Sequence, residues 1–288
     1  MDASPLTTAR PGARLALAAP RVSLSASHGI PGRAGRTVAA LGARAEVHGI
    51  CDEAGSALYA DLVDSDMQEI RAVLRAVLQV DGPVLDLAAG VGRLTVPLLA
   101  LRREVTALDV SRDALRGLAG RLLKAPAPLR ERCAMVQADM AGFALGRLFG
   151  AVVLAGCSVA LLDETGRVGL YGSVRDHLAP GGRFLVSTVD HGALPLPPEV
   201  GTEVHAPSGR TYRMYEYWEP DAPTWTLTAL PKDRRRGQVT VCTTTQRVLC
   251  PGQLEAELER AGFVVAARTQ VTEHGYRQPL VLLDARVA

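Results

Sequence analysis

The chain has 288 residues, 48% hydrophobic and 22% charged, enough to bury a full core as one enlarged domain. Its formal net charge of +2 gives no general pull toward nucleic acid or a membrane, so neither is expected as a partner. Cys51, Cys133, Cys157, Cys242 and Cys250 form no C-x-x-C pair and no zinc spacing, so reduced thiols, a cytoplasmic setting and no metal are expected.

Residues 1–45 carry six arginines against one acid, Asp2, amid Ala, Ser, Pro and Gly, and are expected to be a flexible basic segment. The apolar run Leu15–Ala19 is too short for a secretory signal. Over 46–80 the pattern turns helical, with Leu62, Ile70, Val73, Leu74 and Val77 as one apolar stripe from Ala57 to Leu78. The apolar run Pro83 to Leu87 reads as a buried strand, and Leu94, Val96, Leu98 and Leu99 open an amphipathic helix. Between them lies a Gly-x-Gly turn, where Gly90 and Gly92 let the backbone turn sharply and approach a ligand.

A second strand, Glu104 to Leu108, delivers Asp109 to the carboxyl edge of the sheet, where a ribose diol is read. Val136-Gln137-Ala138-Asp139-Met140 ends a third strand, Phe149 to Gly156 is a fourth, and Arg183 to Val186 begins a fifth after the Leu178–Gly182 turn. His177 falls in the last turn of the preceding helix, beside its dipole. Strand and helix alternate, which predicts an α/β, parallel, doubly wound sheet.

After the Pro-rich break at Leu194–Pro198, residues 201–248 read as antiparallel strands, with Thr211–Trp218 and Thr224–Thr228 flanking a turn and Gln238–Leu249 following. Five of the twelve aromatic residues lie between Tyr212 and Trp225, a surface built to contact something. Two readings stay open: a sheet used for packing or a homodimer interface, and a substrate lid with Tyr215, Trp218 and Trp225 near an amine or a sulfonium. A helix over Gln253–Ala261 and strands at 263–271 and 279–287, the last pair antiparallel, close the chain.

These motifs resemble the class I S-adenosylmethionine-dependent methyltransferases. Asp86-x-x-x-Gly90-x-Gly92, Asp109 after the second strand, Gln137-Ala138-Asp139-Met140 and Leu178-Ala179-Pro180-Gly181-Gly182 fall in family order. A dehydrogenase is disfavoured because Thr95 stands where G-x-G-x-x-G needs its third glycine. The wider pattern is similar to amino-sugar N,N-dimethyltransferases, to relatives of glycine N-methyltransferase and to daptide-type peptide N-methyltransferases. The resemblance implies a Rossmann-like seven-stranded methyltransferase fold with an N-terminal helical lid and an antiparallel β insertion after the fifth strand. The expected organisation is a flexible segment 1–45, a lid 46–80, a cofactor core 81–192, an insertion 193–249 and a C-terminal part 250–288.

It further implies S-adenosylmethionine as cofactor, S-adenosylhomocysteine as product, and a small-molecule or peptide amine as acceptor. Asp109 would hold the ribose hydroxyls, Asp139 and the Met140 backbone the adenine, Gly90 and Gly92 the methionyl end, and Asp86 its ammonium group. Ala88, Val110 and Gly156 would complete the cofactor site, with Ala88-Ala89 standing where the family commonly carries Gly or Cys. Tyr59 would cover the cofactor. An amine attacks when neutral, so a dedicated base is optional, and Asp190 and His191 past the fifth strand are the candidates. The same motifs serve O- or C-methylation and a non-catalytic, cofactor-binding scaffold.

Overall fold

The computed structural model describes residues 29–50, 52–63, 68–190, 192, 197–219, 223–235, 237–271 and 279–288. Its helices are α1 (Gly32–Leu41), α2 (Glu53–Val63), α3 (Gln68–Val77), α4 (Thr95–Ala100), α5 (Arg112–Leu123), α6 (Ala127–Arg130), α7 (Glu164–His177) and α8 (Pro251–Arg260). Its strands are β1 (Ala45–Gly49), β2 (Val84–Leu87), β3 (Val105–Asp109), β4 (Cys133–Gln137), β5 (Phe149–Leu154), β6 (Leu178–Val189), β7 (Glu199–His205), β8 (Thr211–Trp218), β9 (Thr224–Pro231), β10 (Val239–Arg247), β11 (Phe263–Val271) and β12 (Leu280–Val287).

The main sheet has seven strands in the order β11-β12-β6-β5-β2-β3-β4. β2 pairs in parallel with β3 and β5, and β6 in parallel with β5, while β12 runs antiparallel to β6 and β11. Strands buried on both faces read as continuous apolar runs, as β2, β3 and β5 do. One face packs against α3, α4 and α5 through Val73, Val77, Leu98 and Leu118. The other packs against α7 and α8 through Leu170, Val174, Leu254 and Leu258. Strand order reverses between β2 and β5, and at such a switch point a crevice opens beyond the carboxyl ends.

The four insertion strands and the earlier β1 form a second sheet, β1-β10-β9-β8-β7. Its antiparallel ladder places Trp218 opposite Trp225 and Trp225 opposite Gln246, so these three share a face. That face is covered by α2, where Leu58 and Leu62 meet Tyr212, Ala229 and Cys242, and the Tyr212 hydroxyl donates to Asp61 at 2.7 Å. The opposite face is covered by α1, where Ala34 packs with Tyr215, Leu230 and Val241.

Two expectations change. The segment expected to be flexible up to residue 45 contains α1 from Gly32 and leads into β1, which pairs in parallel with β10. Ala34, Val38 and Leu41 recur at helical spacing, and burial of that stripe on the insertion sheet stabilises the helix despite the basic flanks. Residues 1–28 lie outside the described residues. The single stripe over Ala57–Leu78 belongs to two helices facing different cores: Leu62 packs on the insertion, whereas Ile70, Val73 and Val77 enter the main core. His177 ends α7 where the sequence places it, and both ring nitrogens are occupied: Nδ1 lies 2.7 Å from the Ser173 carbonyl of the same helix, and Nε2 accepts from the Leu145 amide at 2.8 Å.

Candidate functional site

A cleft of about 1240 Å3, counted to its open mouth, lies at the carboxyl ends of β2, β3 and β5. β2 is short and wholly buried, so Asp86 and the turn after it are carried to the cleft floor. Gly90 has φ +57°, and a Cβ added there would meet nothing within 4 Å, so the backbone at this turn is open to a bound group. Gly92 does not line the cleft: a Cβ there would lie 2.4 Å from Leu118 Cδ1, so the second glycine serves close packing of the turn on α5 rather than approach to a ligand. Ala88, which lines the cleft, takes φ +52°, a left-handed conformation that costs a non-glycine residue on the order of 1–2 kcal/mol.

The Asp109 carboxylate is 8% exposed and held by two backbone amides, Gly90 N–H to Oδ2 at 2.7 Å and Ser111 N–H to Oδ1 at 2.8 Å. Each oxygen keeps further acceptor capacity for hydroxyl donors. Burial pushes its pKa up, against the lowering effect of the Ser111, Gly90 and Val110 amides. Asp86 is buried and accepts from Thr95 Oγ1 at 2.6 Å. Desolvation raises it from 3.8 to about 7, with the charges of Asp109 and Glu69 adding to the rise and Thr95 and Arg93 opposing it. Asp139 accepts from the Ala141 amide at 2.8 Å and, with Val110, Met140, Leu108 and Ala114, lines the other end of the cleft.

Sequence reasoning missed the residues that brace this floor. Arg93 lines the cleft and donates to Glu69 Oε2 at 2.5 Å. Glu69, 1% exposed on α3, also accepts from Gly156 N–H at 2.6 Å and Ser187 Oγ at 2.6 Å. Burial pushes Glu69 up, but the Arg93 charge and the hydrogen bonds from Arg93, Ser187 and Gly156 outweigh it and hold the carboxyl below its ordinary value. The available signal was an acid on the apolar side of α3, which costs heavily unless paired. Gly156, at φ +67°, lines the cleft.

The remaining candidates separate. Tyr59 lines the cleft from α2, beside Ser56 and Ala60. Asp190 is not among the lining residues: its backbone amide donates to the Pro279 carbonyl at 2.8 Å and its carboxylate faces Arg268 at 3.5 Å. Because β6 runs on to Val189 paired with β12, residue 190 is drawn to that edge instead of turning into the cleft. His191 lies outside the described residues. The three aromatics do not share one face, since Tyr215 and Trp218 are an odd number of residues apart on β8 and point to opposite faces. Tyr215 is buried under α1 with Arg33 5.7 Å from its ring, whereas Trp218 and Trp225 stack at 6.1 Å on the side of α2 and Gln246. Gln246 itself lines the cleft.

The cleft therefore offers an open glycine turn, two carboxylates at adjacent strand ends and an apolar end, a set that fits a nucleoside bearing an amino-acid tail. Among the described residues no three His, Cys, Asp or Glu side chains are placed to hold a metal ion, and no helix is long and apolar enough to cross a membrane.

Comparison with known proteins agrees with this geometry. Residues 84–182 match a family described as "Methyltransferase domain". The solved structure of the glycopeptide N-methyltransferase MtfA with S-adenosyl-L-homocysteine is 37% identical, with a TM-score of 0.66, covering 91% of this chain and 100% of that one. The S-adenosyl-L-methionine complex of MtfA is 42% identical over 77% of this chain and 94% of that one, with a TM-score of 0.60. The CcbJ methyltransferase from Streptomyces caelestis shares the fold at 21% identity, covering 82% of this chain and 99% of that one, with a TM-score of 0.68. No curated protein matches the chain by sequence.

Proposed function

This chain belongs to the class I S-adenosylmethionine-dependent methyltransferases, and from that premise we propose that it N-methylates an amine in natural-product biosynthesis, a peptide amino terminus or an amino sugar. The observation that carries the reading is the 37% identity to a glycopeptide N-methyltransferase along the whole of that chain. When bound, S-adenosylmethionine supplies a methyl group on a positively charged sulfur. The reaction disperses charge, so the protein's part is alignment and exclusion of water rather than an oxyanion site.

In this reading Asp109, fixed by two backbone amides, holds the ribose hydroxyls, and Asp139 with Met140 holds the adenine edge. Asp86 faces the ammonium group and Arg93 the carboxylate of the amino-acid tail, whose backbone lies against the open turn at Gly90. Tyr59 on α2 covers the cleft, and the acceptor enters between α2 and β10. With Asp190 turned to Arg268, His191 is the remaining candidate base, and a base stays optional: an α-amine with a pKa of about 8 is roughly a tenth neutral at pH 7. A cytoplasmic location without nucleic-acid or membrane partners completes the reading. A homodimer through the insertion would form at the β7 or β1 edge, because helices cover both faces, and sedimentation equilibrium tests it.

The direct experiment incubates the protein with S-adenosylmethionine and paired acceptors, each amine beside its hydroxyl analogue, and follows methyl gain by mass spectrometry. Methylated amines, including doubly methylated ones, are expected. Turnover of hydroxyl or carbon acceptors alone would remove the amine assignment and leave the family assignment standing, and cofactor binding without any turnover would leave a scaffold.

A further inference from the structure

One wall of the cleft is used by none of the cofactor motifs. Gln246, near the carboxyl end of β10, is 5% exposed, lines the cleft, and has an Oε1 with no hydrogen-bond partner. Two residues back on the same face, Thr244 Oγ1 is also buried without a partner. A buried acceptor left unpaired is costly, so an orphaned one at a cleft wall fits a donor that arrives with a ligand. The β10 ladder holds Gln246 in register with Trp225, which stacks on Trp218, so the amide projects from a rigid aromatic platform. Ile50, just past the end of the neighbouring strand β1, and Tyr59, on the helix α2 that packs against β10, add apolar lining beside it.

Resting on the amine reading above, we infer that Gln246 is the acceptor-recognising residue of the insertion. Its amide oxygen accepts a hydrogen bond from the N–H of a neutral amine and so turns the nitrogen lone pair toward the methyl donor. Gln246 forms and breaks no covalent bond. Primary and secondary amines present such an N–H and a neutral tertiary amine does not, so recognition ends once the nitrogen of a primary amine carries two added methyl groups.

The test uses the full chain loaded with S-adenosylhomocysteine and titrated with valinamide, a minimal α-amine with an apolar side chain. Binding is read from the fluorescence of Trp218 and Trp225, the chain's two tryptophans. A saturable change is expected in the wild type. Gln246→Met, of similar length but lacking the acceptor oxygen, should weaken valinamide about tenfold or more. Gln246→Glu, which keeps an acceptor oxygen, should restore it. S-adenosylhomocysteine affinity by calorimetry should be equal in all three, and 3-methylbutanamide, the same skeleton without the amine, should not compete. Equal valinamide affinity in wild type and Gln246→Met, or no saturable response in the wild type, overturns the inference. Mass spectrometry of parallel mixtures with S-adenosylmethionine keeps the two readings apart. If valinamide binds through Gln246 but stays unmethylated while its 2-hydroxy analogue is methylated, the amine function falls and the Gln246 contact stands.

Discussion

Asp86 is the residue whose environment departs furthest from what its spacing suggests. Desolvation carries its pKa to about 7, so the free protein holds it largely protonated in mildly acidic solution. In the free protein the sign is that of a raised acid: its contribution to stability is full below the ordinary 3.8 and is lost as pH rises through about 7. An ammonium group brought beside it reverses that preference, because the pair forms with the carboxylate. Cofactor affinity should therefore fall as pH is lowered below about 7, by up to about tenfold per pH unit. Calorimetry of S-adenosylhomocysteine binding between pH 5 and 8, in buffers of different ionisation enthalpy, should detect proton release in the wild type. Asp86→Asn should bind more weakly at pH 8 with little pH dependence. A wild-type affinity that is flat across this range would show that Asp86 does not face the ammonium group.

At the scale of elements, the helices α7 and α8 are tied by a buried ion pair that the apolar pattern does not signal. Arg167 donates to both Glu257 oxygens, from Nε at 2.7 Å and Nη2 at 2.8 Å, and from Nη1 to the Leu162 carbonyl at 2.9 Å; the Tyr171 hydroxyl donates to Glu257 at 3.0 Å. Burial pushes Glu257 up, but the hydrogen bonds from Arg167 and Gln253 outweigh it and lower the carboxyl below 4.5, so its stabilisation is present above that pH and lost as pH falls through the lowered value. Glu257→Ala leaves the guanidinium buried and unpaired, and denaturant unfolding at pH 7 should register a loss of about 3–5 kcal/mol. None of the three lines the cleft, so cofactor affinity in the folded variant should be unchanged. A loss under about 1 kcal/mol would mean water reaches the pair.

Elements were legible where local pattern and burial agree: β2, β3 and β5 read as apolar runs, and β8 and β9 as β-branched and aromatic strands about a turn. α1 and β1 were not legible, because these short segments gain order from a sheet contributed by residues about two hundred positions later. Within the site, Asp86, Gly90, Asp109 and Asp139 were legible because one βα unit after another brings them to one edge. Glu69, Arg93 and Gln246 were not, since their meaning depends on contacts between distant elements. Strand parity separated Tyr215 from Trp218 once the register was known, a step composition alone could not supply.

The molecule as a whole is two sheets sharing one cleft, and that sharing has a measurable consequence. The cleft takes Ile50, Ser56, Tyr59 and Ala60 from the chain before the core, the strand ends of the core, and Gln246 from the insertion after it. Opening α2 or the end of β10 therefore dismantles part of the ligand site, whereas fraying the distant β11 edge does not. A ligand that binds only the assembled cleft adds RT ln(1 + [L]/Kd) to the free energy of any opening that breaks it, about 2.7 kcal/mol at a hundred times Kd. Amides that exchange through such openings should slow by about a hundredfold. Hydrogen exchange with saturating S-adenosylhomocysteine should thus show protection in α2 and around Gln246 together with the turn at Ala88–Leu94, while β11 changes little. If protection is confined to the core turn and the Asp109 strand end, the cofactor engages one sheet alone. In that case α2 and β10 close over the acceptor only when it arrives.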